Sequence, residues 1–538
     1  MTWNDWLFPL APEWILLIGG CLSLLLGFTR VSKWVSPVAL ATVAAALIIA
    51  IRLDVPRNGV VLPGLWVTSL SYYVRWITLG VGSLIVLINW NQPQANERGE
   101  YMSMILFSLL GVLLTASAND LIVLFLTIEL VSVPTYVLVA LSREDARAPE
   151  AAVKYFFLGA LSAAILAYGI SFLYGAAGTT TIHRFVGDAI QSTLRTNGGI
   201  GAPMMIGLIL VFAGLSFKVA AVPFHAYAAD VYEGAASPVT GLLGFVPKLA
   251  GFVALCKILA ALDWDLPSEL NWMLWIVAAA TMTVGNVLAL LQKNVKRMLA
   301  YSSIAHTGYM LIAVLVGPVA GQGPMRDGVS ALLFYIVVYG AMNLGAFALL
   351  ASFRSNRRDV ETLDDLGGLA RRAPASALAL AICIFSLMGF PPTAGFLGKL
   401  YIFSSAFSLQ PNHPMHGPLI ALAIIGVVNT VIGAAYYLRI VAAVYMGGEA
   451  APATSVGGLP VRWGLALCSV PLLVLFAWPT GLSTQVRTAT TVLHRSIIRT
   501  GGARVTSTAG ANQPLAATAN SLPKVGKASV SHEHRANP

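Results

Sequence analysis

Residues 119–141 of the chain read NDLIVLFLTIELVSVPTYVLVAL. A helix needs about 20 mostly apolar residues to cross the hydrocarbon core of a bilayer, and this stretch is long enough. Its apolar residues form a continuous run and do not alternate with polar ones, as they do in the strands of membrane barrels. The stretch therefore predicts a membrane-spanning helix that carries one carboxylate, Glu129, midway along its length.

The rest of the chain has the same character. Hydrophobic residues make up 57% of the 538 residues and charged residues only 10%, and the mean hydropathy is +0.77. Apolar runs of spanning length recur from residue 12 to about residue 483, and only helices or closed barrels satisfy the backbone in lipid. We expect an all-α fold, a polytopic membrane bundle of about fourteen helices.

The distribution of Lys and Arg predicts the orientation, because cytoplasmic loops carry the excess of positive charge. The odd-numbered loops hold more of these residues than the even-numbered ones, so both termini are expected on the side of the membrane away from the cytoplasm. The net charge of +10 is spread over loops and a polar tail, a pattern that argues against a nucleic-acid partner. The cations of the odd-numbered loops are Arg30, Lys33, Arg143, Arg147, Lys293, Lys296, Arg297, Arg354, Arg357, Arg358, Arg371 and Arg372.

No motif for a redox cofactor or a nucleotide is visible. The four cysteines, Cys21, Cys256, Cys383 and Cys468, lie in separate apolar runs without the spacing of an iron–sulfur or zinc site. Neither a glycine-rich dinucleotide turn nor a phosphate loop occurs. We therefore expect no cofactor and no metal on this chain.

Ionisable residues inside the apolar runs are the most informative feature, since each costs about 2.5–3.5 kcal/mol on insertion scales. Four lie far from the predicted span ends: Glu129, Lys218, Lys248 and Lys399. Burial lowers the pKa of a lysine and a nearby carboxylate raises it, so small rearrangements can change its charge. The four residues predict a proton relay; the alternative is that Glu129 and Lys218 form a fixed structural ion pair.

Prolines lie close to these residues. Pro223 follows Lys218, and Pro391 and Pro392 precede Lys399, so spans seven and twelve are predicted to be discontinuous. Two broken helices five spans apart are the pattern of inverted repeats, although prolines also kink helices for packing alone. The expected units are 1–100 (three helices), 101–265 (first repeat), 266–450 (second repeat), 451–490 (the last helix) and 491–538 (a disordered tail).

Three further residues are weaker candidates. Lys154 lies near the start of the sixth span, where it is either a relay member or an interfacial anchor. His225 and His306 can exchange protons near neutral pH, but a single histidine is as often a packed core residue. Asp230 and Glu233 are expected in a solvated loop.

At these residues the chain resembles a known family, the subunit N type of NADH-quinone oxidoreductase in respiratory complex I. The resemblance spans the fifth to the thirteenth predicted helix. It rests on the stretches ELVSVPTYVLVAL (129–141), EAAVKYFFLGALSAAILAYGISFLYGAAGTT (150–180), FKVAAVPFHAYAADVYEGAASPVTGLLGFVPKLAGF (217–252), KRMLAYSSIAHTGYML (296–311) and FSLMGFPPTAGFLGKLYIF (385–403).

The resemblance implies an antiporter-like subunit whose proton transfer is driven by quinone reduction elsewhere in the complex. Glu129 corresponds to the glutamate that modulates the central lysine, Lys218; Lys248 forms the link across the bundle and Lys399 lies on the exit side. NADH, FMN, iron–sulfur clusters and quinone are then expected on partner subunits. The expected partners are the other antiporter-like subunits, small membrane subunits of the membrane arm, the peripheral arm through the complex, and the lipid bilayer.

Two alternatives remain open at this point. One is a membrane subunit of a multi-subunit cation/proton antiporter or of an energy-converting hydrogenase, both of which share the Glu and Lys pattern. The lysine at position 399 and the stretch after Glu129 favour the subunit N type over these. The other alternative is a structural membrane scaffold whose buried charges are fixed pairs.

Overall fold

The computed structural model describes residues 8–53, 59–92, 97–182, 201–319, 323–355, 358–448, 453–455, 458–491 and 493. The predicted tail, 491–538, lies outside the described residues except for positions 491 and 493. The helices are α1 (Ala11–Gly27), α2 (Val35–Arg52), α3 (Ser69–Ile88), α4 (Arg98–Ser117), α5 (Leu121–Ala140), α6 (Arg147–Ala177), α7 (Ala202–Lys218), α8 (Ala226–Gly234), α9 (Ser237–Ala261), α10 (Ser268–Leu290), α11 (Val295–Val316), α12 (Gly328–Ser352), α13 (Leu369–Arg372), α14 (Pro374–Met388), α15 (Ala394–Ser405), α16 (His416–Met446) and α17 (Gly458–Ala477).

The helical bundle predicted from the sequence is confirmed. Eleven helices of the described chain are long and apolar enough to cross a membrane, and α1, α7 and α14 are shorter apolar helices. The expectation of an all-α chain misses five short strands in the connections, because backbone outside lipid can pair in this way. β1 (Val60–Leu62) pairs antiparallel with β2 (Leu65–Val67), and β3 (Phe353–Ser355) pairs antiparallel with both β4 (Arg358–Asp359) and β5 (Ala453–Ser455).

Three helices form the centre of the bundle. The most apolar window is 94% buried in α9 and α12 and 89% buried in α11, whereas it is 28% buried in α6 and 33% buried in α17. A helix that is apolar on all sides belongs either in the core or against lipid. Side chains on α9, α11 and α12 are therefore surrounded by protein, while α6 and α17 present apolar faces outward.

The backbone is interrupted beside two of the candidate lysines. α7 ends at Lys218, and α8 begins at Ala226. Asp230 and Glu233 were expected in a loop, but they lie on α8, which forms because Tyr227, Val231 and their neighbours bury one face against the bundle.

The second interruption separates α14 from α15. Gly389, with φ +82°, ends α14 in the left-handed region, which a residue with a side chain rarely adopts. Gly395 lies in the first turn of α15, where a Cβ atom would stand 1.9 Å from the carbonyl oxygen of Ser386. The Gly395 amide donates to Oγ of Ser386 at 3.1 Å. The two glycines let the ends of the helices approach closely beside Lys399.

A buried ion pair holds α1 against α3. Arg75 is fully buried, its Nε donates to Glu13 Oε1 at 2.8 Å, and its Nη2 donates to the carbonyl of Pro9 at 2.9 Å. Within the described residues, Glu13 Oε2 and Arg75 Nη1 have no hydrogen-bond partner. The pair was not foreseen from the sequence, since both residues lie near span ends, where charges usually reach the interface.

A single carboxylate connects three helix ends. Glu361 accepts hydrogen bonds from Arg143 at 2.6 Å and Arg147 at 3.1 Å, and Nζ of Lys296 lies 3.8 Å from it. Its backbone oxygen also accepts from the amide of Val295 at 2.7 Å. Partial burial raises the pKa of Glu361. The three neighbouring positive charges lower it by more than burial raises it, so the pKa lies below its usual value of 4.5.

We predict that Arg75→Met strongly destabilises the protein, because it leaves the Glu13 carboxylate buried and unpaired. Removing one member of a buried pair costs about 3–5 kcal/mol, whereas replacing both members with apolar residues is often neutral. The double variant Glu13→Leu/Arg75→Met should recover most of the loss, as measured by thermal unfolding in detergent. A double variant that is as unstable as Arg75→Met would contradict this account.

We also predict that Glu361→Gln lowers the unfolding temperature near pH 7. Because the folded-state pKa of Glu361 is depressed, its contribution to stability is complete above the unfolded pKa and disappears as the pH falls through the folded pKa. The difference from wild type should therefore shrink once the pH drops below about 4.5. Glu144→Gln, at an exposed position in the connection between α5 and α6, serves as the matched control and should change little.

Candidate functional site

Glu129 and Lys218 form a close ion pair between α5 and α7. Nζ of Lys218 lies 2.8 Å from Glu129 Oε1 and donates equally closely to Oγ of Ser132, at 2.8 Å. The Lys218 side chain is 4% exposed and that of Glu129 is 21% exposed. The ammonium therefore has both a charged and a neutral acceptor, and the carboxylate faces partly outward.

Lys248 lies on the central helix α9 and has no carboxylate within salt-bridge distance among the described residues. Its Nζ donates to Thr307 Oγ1 at 2.9 Å and to the carbonyl oxygen of Ser303. The hydroxyl of Thr307 in turn donates to the carbonyl oxygen of Val219 at 2.7 Å. One hydroxyl thus joins the Lys248 ammonium to the residue that follows Lys218.

His306 lies next to Thr307 on α11, and both of its ring nitrogens have partners. Nδ1 is 2.5 Å from the hydroxyl of Tyr335, and Nε2 is 2.9 Å from the hydroxyl of Tyr437. A neutral imidazole donates from one nitrogen and accepts at the other, and a tyrosine hydroxyl can match either role. The ring is 5.2 Å from that of Tyr339, whose face lies 5.5 Å from the ammonium of Lys248.

Lys399 lies on α15 and closes the end of α14. Its Nζ donates to the carbonyl oxygens of Leu387 and Met388, each at 3.0 Å. A cation is favourable there, because the last carbonyls of a helix carry partial negative charge. The ammonium also stands 5.0 Å from the ring centre of Tyr309, which meets the ring of His306 at 5.6 Å.

Hydrogen bonds and ring contacts connect Glu129, Lys218, Lys248, His306 and Lys399 in one line. Glu129 is partly exposed, and the other four residues are buried. The remaining two candidates, Lys154 and His225, lie apart from this line. Lys154 is 46% exposed and pairs with Glu150 at 2.8 Å and Asp230 at 3.5 Å. His225 lies in the interruption between α7 and α8, directly before α8 begins.

Two further lysines, outside this line, donate to backbone carbonyls in a way that the sequence did not indicate. Lys257, on α9, donates to the carbonyl of Ala118 at 2.7 Å. Lys296 was expected to set topology, yet its side chain is fully buried and donates to the carbonyls of Glu233, at 2.9 Å, and Ala235. Both lie near ends of apolar runs, where the sequence pattern does not distinguish burial from an interfacial position.

The described residues hold no group of three or more His, Cys, Asp or Glu side chains that could bind a metal. The site consists instead of charged and hydroxyl side chains separated by short distances. Such an arrangement can exchange protons and reorganise hydrogen bonds.

The sequence and the fold both match known proteins. The sequence model of the family described as "NADH:quinone oxidoreductase/Mrp antiporter, TM" matches residues 118–433. NADH-quinone oxidoreductase subunit N of Paramagnetospirillum magneticum is 36% identical, over 90% of this chain and 98% of that protein.

Solved structures agree with this assignment. A chain of respiratory complex I from Thermus thermophilus superposes with a TM-score of 0.71 at 30% identity, covering 88% of this chain and 98% of that one. A chain of the Mrp complex from Dietzia has a TM-score of 0.75 at 22% identity, over 92% and 98% of the two chains, and shares the fold. This chain is a multi-pass membrane protein that belongs to the NADH:quinone oxidoreductase/Mrp antiporter family, among the NADH-quinone oxidoreductase subunit N proteins.

Proposed function

We propose that the chain translocates protons across the membrane through Glu129, Lys218, Lys248 and Lys399, as a subunit of an NADH:quinone oxidoreductase. The observation that carries the proposal is the bridge made by Thr307, which links the Lys248 ammonium to the backbone beside Lys218. The rings of Tyr339, His306 and Tyr309 contact one another in series between the ammonium groups of Lys248 and Lys399. The relatives of the subunit N type support the assignment to complex I.

The chemistry of each position supports proton transfer. Lysine loses its charge far more readily than arginine when it is buried, and every ionisable residue of the line is a lysine, a carboxylate or a histidine. Lys218 has a carboxylate partner, while Lys248 and Lys399 have only neutral acceptors within hydrogen-bond distance in the described structure. A proton on Lys218 is therefore held electrostatically, and opening the Glu129 pair favours its release toward Lys248.

We also propose how the helices of this chain cross the membrane. The three shorter apolar helices α1, α7 and α14 complete about fourteen crossings together with the longer ones. We assign α7 with α8, and α14 with α15, to two discontinuous crossings. The units are then 1–100, the repeats 101–265 and 266–450, and the last crossing in 451–490, with both termini on the periplasmic side of a bacterial plasma membrane.

Electron transfer belongs to other subunits in this proposal. NADH oxidation, FMN, iron–sulfur clusters and quinone are assigned to partner chains, and no cofactor is assigned to this one. Its partners are the other antiporter-like and small subunits of a membrane arm, with the peripheral arm joined through the complex. The outward-facing apolar helices α6, α10, α16 and α17 provide surface for such neighbours and for lipid.

Two competing functions make different predictions. A subunit of a cation/proton antiporter shares the fold, but the similarity to the Mrp chain is limited to 22% identity. A structural scaffold accounts for the Glu129–Lys218 pair. It leaves Lys248 and Lys399 unexplained, because a buried lysine without a carboxylate costs stability and an apolar residue of similar size does not.

We predict that Lys218→Ala and Lys399→Ala abolish most proton pumping in inverted membrane vesicles that contain the assembled complex. Each variant removes a required proton carrier, so pumping should fall by about tenfold or more, equivalent to about 1.4 kcal/mol or more in the barrier. Lys293→Ala, at an exposed position, is the matched control. Native gels report assembly: full pumping would contradict the proposal, and failed assembly would favour the scaffold.

Thr307→Val should slow pumping while leaving assembly intact. Valine keeps the shape of threonine but cannot bridge Lys248 and the carbonyl of Val219, and a hydrogen bond to a charged group contributes about 1.5–3 kcal/mol. A reduction of about tenfold is expected. Thr307→Ser retains the hydroxyl and should restore most of the rate. Equal pumping by the valine and serine variants would show that the bridge is not part of the relay.

A further inference from the structure

The hydroxyl of Tyr136 is buried beside the Glu129–Lys218 pair without a hydrogen-bond partner. Tyr136 is 6% exposed, and its hydroxyl oxygen meets no donor or acceptor within bonding geometry among the described residues. A buried hydroxyl without a partner costs about 1–3 kcal/mol. Phenylalanine would bury the same ring without this cost, so packing does not explain the hydroxyl.

The neighbouring helix leaves space for this hydroxyl. Gly159 lies inside α6, where a Cβ atom would stand 2.0 Å from the Tyr136 hydroxyl. A glycine within a helix costs roughly 0.5–1 kcal/mol relative to alanine. The ring itself is held by an edge-to-face contact with Tyr155, with centroids 4.5 Å apart. The unpartnered hydroxyl of Tyr136 and the helical Gly159 are thus two destabilising features at the same point of the α5–α6 contact.

The groups that face the hydroxyl belong to the proposed relay. Tyr136 lies on the same face of α5 as Ser132 and Glu129, at positions one and two helical turns earlier. Side chains on a helix lean toward its N-terminus, which directs the Tyr136 hydroxyl toward these two residues. The charge of Glu129 acts on it, and the Ser132 hydroxyl lies nearby without meeting hydrogen-bond geometry. Ser132 currently accepts from Lys218 and donates to the carbonyl of Ile128.

We infer that Tyr136 is the donor that occupies the Glu129–Ser132 site when the Lys218 ammonium leaves it. The carboxylate lies at membrane depth, where an unpaired charge is costly, so opening the pair requires a replacement donor. A phenol supplies a hydrogen bond without giving up its proton, so Glu129 stays charged and ready to bind the lysine again. Tyr136 is thus a positioning residue for the ion pair. The inference rests on the proposed proton relay.

The test compares Tyr136→Phe with wild type in the assembled complex, by NADH-driven proton pumping in vesicles and by thermal unfolding. Because the hydroxyl is unpartnered in this structure, its removal should leave the unfolding temperature unchanged or raise it. Pumping should nevertheless fall severalfold. A loss of pumping without a loss of thermal stability identifies a functional hydroxyl, because removal of a structural hydroxyl would lower the unfolding temperature as well.

Tyr101→Phe is the matched control, since the buried Tyr101 hydroxyl donates to Asn89 at 2.6 Å, away from the pair. It should lower the unfolding temperature and leave pumping per complex unchanged. In a Glu129→Gln background, Tyr136→Phe should add no further loss, because its effect passes through the carboxylate. Wild-type pumping by Tyr136→Phe overturns the inference, as does a loss that accompanies destabilisation.

Lys218→Ala, measured in the same assay, separates this inference from the proposed function. If Lys218→Ala abolishes pumping and Tyr136→Phe does not reduce it, the relay stands and the role of Tyr136 is overturned. If Lys218→Ala pumps at the wild-type rate, the proposed relay fails, and this inference fails with it.

Discussion

Charged side chains in a membrane interior need polar partners from the protein, because no bulk water is available to solvate them. The three lysines of the line meet this constraint in different ways. Lys218 has a carboxylate and a hydroxyl, Lys248 a hydroxyl and a backbone carbonyl, and Lys399 two carbonyls at the end of a helix. Much of the architecture near the centre of the bundle serves these contacts. In particular, the Lys399 ammonium caps α14 by binding its last two carbonyls.

Helix α11 connects the two halves of the site. Ser303, His306 and Thr307 lie three and four residues apart, so they share one face of this helix. That face meets Lys248 on α9, Tyr335 on α12 and the chain just after α7. Because α9, α11 and α12 are the most buried of the eleven long apolar helices in the described chain, these contacts are enclosed by protein. A movement at one lysine can therefore reach the next through defined hydrogen bonds.

Several features near the line reduce stability. The Tyr136 hydroxyl has no partner in the described structure, Gly159 lies in the interior of a helix, and Lys248 and Lys399 lack carboxylates within salt-bridge distance. At Glu361 the charge is better compensated, because Arg143, Arg147 and Lys296 lie around it. Features that lower folding stability and cluster at one place are typical of functional sites. The distribution of costs and compensation agrees with a relay whose members must change partners.

The sequence by itself determined the membrane class, the helical bundle and the presence of four ionisable residues inside apolar runs, since apolar content and the cost of charge in lipid are properties of the chain. It also indicated breaks near Lys218 and Lys399. Only the tertiary structure decided that Thr307 joins Lys248 to the end of α7, that Lys154 pairs at the surface, and that Lys296 is buried. These facts depend on which helices pack together. A hydrogen bond between residues far apart in the chain depends on that packing, and local sequence patterns do not predict it.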